Sequence, residues 1–202
     1  MSTIKNIIFD LGGVLIDWNA KYVFRTIFET EAEVEAFLQN ICTMEWNVQQ
    51  DAGRSLSEAT QVLTAKYPEW AEQIAAYYGR WEEMLGGPIQ ANVDVLDRLI
   101  QSQKYRILAL TNWSAETYPI AQKHYDFLGW FEGVVVSGTE QCIKPDPKIY
   151  QILFERYDLT PEECLFIDDN PDNVAASIAC GMPAVQYRAG EDLEVTIETY
   201  LI

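Results

Sequence analysis

Four short apolar runs in this chain each stop on a cluster of polar residues, and this pattern limits the possible folds more than any other feature. Ile7-Ile8-Phe9 stops on Asp10, with Gly12 and Gly13 just beyond. Arg106-Ile107-Leu108-Ala109-Leu110 ends in Thr111-Asn112-Trp113-Ser114. Gly133-Val134-Val135-Val136 leads through Ser137-Gly138 to Lys144-Pro145-Asp146-Pro147. Cys164-Leu165-Phe166-Ile167 ends in Asp168-Asp169-Asn170-Pro171-Asp172-Asn173. Short continuous apolar runs that alternate with helical patterns predict βα units and a parallel sheet. In such sheets ligands bind outside the carboxyl ends of the strands, where all four clusters fall. Read alone, Asp10 is either a nucleophile beside a loop that admits a ligand or an ordinary aspartate capping a turn.

After the first run, about seventy residues with helical texture pass before the next strand is expected. Ser55-Leu56-Ser57-Glu58 can form a capping box, and Trp70, Ile74, Tyr77, Tyr78, Trp81 and Leu85 recur at helical spacing. Gly86-Gly87-Pro88 reads as a breaker and hinge. The expectation is an α/β fold: a Rossmann-like parallel sheet core of residues 1–16 and 88–202, with residues 17–87 inserted as a helical cap. Trp70 and Trp81 are expected to form the cap's own core. Trp18 and Trp46 are expected to face the substrate, Trp46 from an irregular stretch between Met44 and Gly53. In the core, Asn92, Ser114, Asp146 before Pro147, Thr160 before Pro161 and Asn170 before Pro171 read as helix caps, and Gly181 as a helix end.

With 49% hydrophobic and 22% charged residues over 202 positions, the chain is expected to be a soluble globular protein. Thirty-one acids against fourteen bases give a net charge of −17, which repels nucleic acid and anionic membranes. An anionic substrate would need local cations to offset that field. Cys42, Cys142, Cys164 and Cys180 form no CxxC pair and read as reduced thiols of a cytoplasmic protein. No signal peptide or membrane span is read, because the first apolar run is short and broken by Asp10. His124, alone of its kind, is expected to be structural, and Arg25 and Arg54 to lie on the surface.

The motifs FDLGGVL, LTNW, SGTEQCIKPDPKIY and FIDDNPDNVAASIACGM, in that order, resemble the haloacid dehalogenase (HAD) superfamily over essentially the whole chain. The texture is that of its alpha-D-glucose-1-phosphate phosphatases and of the amino-terminal phosphatase domain of soluble epoxide hydrolases. The resemblance implies that the first and fourth runs are neighbours, which brings Asp10, Asp168 and Asp169 together. Clustered carboxylates cannot all stay ionised without a cation, and Mg2+ suits oxygen ligands and bridges to phosphate. By resemblance, Asp10 is the nucleophile, and Asp10, Asp169 and the Gly12 carbonyl hold Mg2+. Asp168 and Asn173 support the site from behind. Lys144 is a fixed positive charge, and Thr111 and Asn112 hydrogen-bond the phosphate, helped by N–H groups at the next helix start. Gly13 and Trp18 border the substrate.

One position departs from the phosphatase pattern. Phosphatases of this superfamily usually carry an acid–base Asp two residues after the nucleophile, and here that residue is Gly12. The first reading is Mg-dependent hydrolysis of small phosphate monoesters, sugar phosphates foremost, through an aspartyl-phosphate. The dehalogenase branch also lacks that Asp, so a metal-independent 2-haloacid dehalogenase is the alternative. That branch has SSN where this chain has Asp168-Asp169-Asn170, and two acids there make sense only with a cation. A third reading is a weakly catalytic phospho-ligand-binding regulatory protein. Water or a cap residue such as Asp17 could stand in for the missing acid.

Overall fold

The register of three neighbouring strands sets the geometry of everything that follows. A computed structural model describes residues 3–201. In chain order the elements are β1 (Asn6–Phe9), β2 (Ile16–Trp18), α1 (Lys21–Phe24), α2 (Glu31–Asn40), α3 (Met44–Asp51), α4 (Leu56–Lys66), α5 (Ala71–Gly79) and β3 (Leu85–Pro88). There follow α6 (Gln90–Ser102), β4 (Arg106–Thr111), α7 (Tyr118–His124), β5 (Gly133–Val136), α8 (Ser137–Glu140) and α9 (Pro147–Tyr157). The chain closes with β6 (Cys164–Asp168), α10 (Pro171–Ala179), β7 (Ala184–Gln186) and α11 (Leu193–Glu198).

Five strands form a sheet in the order β5-β4-β1-β6-β7, and every pairing is parallel. Phe9 lies level with Ala109 on one side and Ile167 on the other. Asp10, Leu110 and Asp168 therefore lie level at the carboxyl end of the sheet. Successive residues point to opposite faces: Ile7 and Phe9 join one buried cluster with Ala109 and Ile167, Ile8 the other with Leu108 and Phe166. Both faces are covered, which is why these strands read as unbroken apolar runs.

The stretch expected to hold no strand holds two. β2 and β3 pair antiparallel, Ile16 with Pro88 and Asp17 with Gly87, so Gly86-Gly87-Pro88 is part of a strand as well as a breaker. Glycine and proline hide such a strand from a propensity reading, and Gly87 adopts φ +114. A domain boundary drawn at 17 and 87 thus cuts through this ribbon.

Between the two ribbon strands the chain is helical. Phe24, Phe28, Phe37, Trp70 and Tyr77 stack into an aromatic nucleus, with Phe24 and Phe37 ring centroids 4.8 Å apart. Trp70 packs there as expected. Trp81 also packs, against Trp113 at 5.9 Å, outside the segment's own nucleus. Trp46 corrects the expectation. Residues 44–51 form α3, capped by Thr43, and the Trp46 ring packs edge-on to Tyr77 at 5.1 Å, buried within the segment.

Of the helix caps, Asp146 and Asn170 act as expected, accepting from the N–H groups of Lys148 and Asp172. Ser55 accepts from the Glu58 N–H, and the full reciprocal box lies instead at Thr30 and Glu33. Asn92 sits inside the first turn of α6, where its buried amide donates to the Val14 carbonyl at 2.6 Å. Ser114 caps a turn ahead of α7, accepting from Glu116, and the helix itself starts at Tyr118. Thr160 precedes only a 3-10 turn and makes no side-chain cap. Among the described residues no helix is long and apolar enough to cross a membrane.

Candidate active site

At the shared strand edge, five polar side chains meet that the sequence places up to 163 positions apart, from Asp10 to Asn173. Asp10 follows β1 directly. Its Oδ1 accepts the Leu11 N–H at 2.7 Å and faces the Lys144 ammonium at 3.0 Å. Lys144 is fully buried and its Nζ also reaches Asp168 Oδ2 at 2.7 Å and the Leu110 carbonyl at 2.9 Å. Asp168, the last residue of β6, accepts from the Asn170 N–H at 2.8 Å and from Asn173 Nδ2 at 3.1 Å on both oxygens. The Asn173 carbonyl is in turn held by the Tyr150 hydroxyl. Asp168 and Asn173 therefore fix the lysine and are spent in doing so.

Asp169 faces solvent on the open side. Carboxylate oxygens of Asp10, Asp168 and Asp169 all lie within 4.8 Å of one another. Burial pushes the Asp10 carboxyl up to about 7; Lys144 opposes this, while Asp168 and Asp169 add to it. Asp169 is raised too, first by burial and then by Asp168. Burial alone would lower the Lys144 ammonium, but Asp10 and Asp168 outweigh it and its pKa is raised. Fully ionised, three carboxylates face one ammonium, a residual charge of −2. An all-oxygen donor set with that charge fits a hard divalent cation. Asp10 and Asp169 can hold it, since Asp168 is occupied.

Gly12 and Gly13 differ sharply. Gly13 has φ +72, and a side chain there would land on the Asp169 carboxylate, so only glycine fits. A Cβ at Gly12 would meet nothing within 4 Å. The turn is pinned by Ile16 N–H to the Leu11 carbonyl and Gly13 N–H to the Ile16 carbonyl, and neither bond uses the Gly12 carbonyl.

The phosphate-side expectations divide. Thr111 is buried, and its Oγ1 has no hydrogen-bond partner, a costly state that a ligand oxygen would relieve. Asn112 serves the backbone as well. Its amide donates to the Lys144 carbonyl at 2.9 Å and accepts the Lys144 N–H at 2.8 Å, so it clamps the lysine's backbone and keeps only its second N–H for a ligand. Two backbone N–H groups of this loop are taken: Trp113 donates to Ser137 Oγ at 2.9 Å, and Ser114 to the Asp51 carboxylate. Trp18, half-buried in β2, packs against the apolar core. His124 ends α7 and pairs with Glu82 at 2.8 Å, away from the site. Arg25 pairs with Glu31 and Arg54 with Gln50.

Sequence reasoning missed the contact between the helical segment and the core. Ser137 Oγ donates to the Asp51 carbonyl at 2.6 Å, and the Leu56 N–H donates to Glu116 Oε1 at 2.8 Å. Gly53, at φ +102, lies so close to Gln141 and the Gly138 carbonyl that a side chain would not fit. The glycine was the one visible signal in the sequence.

A family model described as haloacid dehalogenase-like hydrolase matches residues 4–181. The sesquiterpene phosphatase astK of Aspergillus oryzae is 26% identical over 182 residues, 90% of this chain and 88% of that protein. The phosphoglycolate phosphatase of Vibrio cholerae is 23% identical, over 90% of this chain and 83% of its own length. Among solved structures, the HAD family enzyme bt-2542 of Bacteroides thetaiotaomicron superposes with a TM-score of 0.75 at 25% identity, over 96% of this chain and 98% of that one. That protein has also been solved with magnesium and inorganic phosphate. A parallel sheet with Asp10, Thr111, Lys144 and Asp168-Asp169 gathered at one edge, together with a match across residues 4–181, means that this chain is a hydrolase of the haloacid dehalogenase-like family.

Proposed function

We propose that the protein is a Mg2+-dependent phosphatase of small phosphate monoesters, sugar phosphates first among them. The observation that carries this is Asp169. It stands beside Asp10 in a cluster that Lys144 alone cannot neutralise, and a metal-free dehalogenase has no use for it. The phosphatase relatives support the same choice.

Asp10 and Asp169 would hold the cation together with the Gly12 carbonyl. When bound, Mg2+ supplies positive charge against the phosphate oxygens. The chain's own residues do the rest. Asp10, already fixed through Oδ1, attacks phosphorus and becomes an aspartyl-phosphate. Lys144, locked by Asp168 and Leu110, holds a positive charge beside the reacting carboxylate. Thr111 Oγ1 donates to a phosphate oxygen. Asn112 and Asn173 position Lys144 and Asp168, and Gly13 leaves room for Asp169. Residues 17–87 serve as a cap over the site, carried on the ribbon of β2 and β3. Four free cysteines, three of them buried, support a reducing compartment such as the cytoplasm.

The test is phosphate release from a panel of sugar 1- and 6-phosphates, phosphoglycolate and an isoprenoid monophosphate, with Mg2+ and with excess EDTA. Release that EDTA abolishes is expected. Full hydrolysis of a 2-haloacid in EDTA, without phosphate release from any ester, would replace this reading by the dehalogenase one.

A further inference from the structure

Ser137 follows β5 directly, and its side chain is fully buried where three stretches of the chain meet. We propose that Ser137 is a positioning residue: through its hydroxyl, the loop that presents Thr111 and Asn112 takes its shape from the helical segment seated on the core. This rests on the phosphatase reading above, in which Thr111 meets the phosphate.

The hydroxyl is used from both sides. Its oxygen accepts the Trp113 N–H at 2.9 Å, and its proton goes to the Asp51 carbonyl, at the end of α3, at 2.6 Å. The next residue repeats the arrangement with main-chain atoms. The Gly138 N–H donates to the Trp113 carbonyl at 3.1 Å, and the Gly138 carbonyl faces Gly53. A side chain at Gly138 would strike the backbone of Trp113 and Ala115, and one at Gly53 would come within 3.2 Å of the Gly138 carbonyl. Ser137-Gly138 is therefore a bracket. On one side it grips both the N–H and the carbonyl of Trp113, and on the other it takes residues 51–53.

What the bracket holds sets the site's loop. Thr111 is fixed by the β4 ladder, level with Val136. Trp113, two residues on, is fixed by the bracket. Thr111 Oγ1 and the Asn112 amide lie between these two anchors, and Asn112 clamps the Lys144 main chain. The Trp113 ring adds to the hold. Its indole N–H donates to Thr117 Oγ1 at 3.0 Å, and the ring meets Trp81, just ahead of β3, at 5.9 Å. The helical segment thus touches Trp113 through the bracket and through the ring.

A hydroxyl has one proton, and two carbonyls compete for this one. The Asp51 carbonyl lies at 2.6 Å and the Trp113 carbonyl at 3.5 Å. The longer distance is beyond a good O–H···O bond, which runs to about 3.0 Å. With the segment seated, the proton points to Asp51 and leaves a lone pair for the Trp113 N–H. With the segment displaced, the proton turns to water or to the Trp113 carbonyl, and the second choice draws Trp113 inward with Thr111 behind it. Coupling of this kind travels through contiguous contacts, and here each link is one bond or one residue long. A small shift matters, because Thr111 Oγ1 has to meet a phosphate oxygen at hydrogen-bond distance.

The experiment measures p-nitrophenyl phosphate turnover with saturating Mg2+ for wild type, Ser137→Ala, Gly53→Ala and the double variant. Calorimetry follows Mg2+ binding alone and inorganic phosphate binding in excess Mg2+, and circular dichroism controls for folding. Ser137→Ala should lower kcat about 10–10²-fold and weaken inorganic phosphate about tenfold. Its Mg2+ affinity should stay within about twofold of wild type, because Asp10 and Asp169 lie at the ends of β1 and β6, outside the bracket. A merely structural role would move both ligands alike. Gly53→Ala keeps the Ser137 hydroxyl but disturbs the seating, since the new methyl meets Gln141 and the Gly138 carbonyl. It should give the same pattern, so the test stands even if Ser137→Ala does not fold. The double variant should be no slower than the slower single one, because both act through one contact. Losses that multiply, an unchanged kcat in either single variant, or Mg2+ affinity that falls in step with phosphate affinity overturns the proposal. Wild type that releases no nitrophenol and binds no phosphate would instead bring down the phosphatase reading, and this assignment with it.

Discussion

Lys144 meets Asp168 at 2.7 Å at the strand ends, and His124 meets Glu82 at 2.8 Å where the helical segment touches the core. The two distances are nearly equal, but the surroundings are not. The first pair has both side chains at 0% exposure; the second lies at 46% and 58%. A charge buried with its partner cannot be exchanged for water, so breaking the pair is expensive. An exposed pair trades one solvated state for another and contributes little. The floor of the site is therefore built to keep its geometry, while part of the joint with the helical segment can part cheaply.

The largest effect should come from the floor. Asp10→Asn should keep the fold and lower turnover by at least about 10⁴-fold; circular dichroism and phosphate release check the two halves. Lys144→Ala leaves Asp168 buried without its cation. It should cost about 3–5 kcal/mol in a denaturant titration, besides activity. Gly13→Ala forces a side chain into φ +72 and onto Asp169. About 1–2 kcal/mol of backbone strain and a loss of Mg2+ affinity by calorimetry are expected. Gly12→Ala, one residue away with open space, should stay within about 0.5 kcal/mol.

pH should weaken the floor and the joint in the same window, and Mg2+ should act on the floor alone. Asp10 and Asp51 titrate near 7 when folded and near 3.8 as free side chains. Folded-state values above the unfolded ones give stability that is full below the lower value and lost as pH rises through the upper one. Metal-free protein should therefore become less heat-stable from pH 5 to pH 8. Added Mg2+ should raise Tm more at pH 8 than at pH 5, because protons compete with it for Asp10. The smallest effect belongs to the joint: Glu82→Gln should change stability by under about 1 kcal/mol, and less in high salt. A larger loss would mean that the joint is as firmly built as the floor.

The sheet was legible because its strands are buried on both faces, so no alternation obscures the apolar runs. Asp10, Lys144, Asp168 and Asp169 were legible because each follows such a run or its loop. β3 was not, because Leu85-Gly86-Gly87-Pro88 carries no strand propensity and is held by its partner β2 alone. The backbone role of Asn112 was hidden for a different reason. An amide beside a strand end can serve ligand or backbone equally well, and only the fold shows that the Lys144 backbone takes its oxygen and one of its two N–H groups. The contact of Asp51 with Ser114 was passed over because an acid at a helix end says nothing of a partner 63 positions away.

The ribbon has one more consequence. Ile16 pairs with Pro88, so the excursion of residues 17–87 begins and ends at adjacent points. To the sheet it is a hairpin, whatever its length. The entropic cost of closing a loop grows only with the logarithm of its size, and here the ends are already clamped by hydrogen bonds. The core is therefore nearly indifferent to how many residues the ribbon carries. A different helical segment could be spliced in between Ile16 and Pro88 while the sheet edge below kept its geometry.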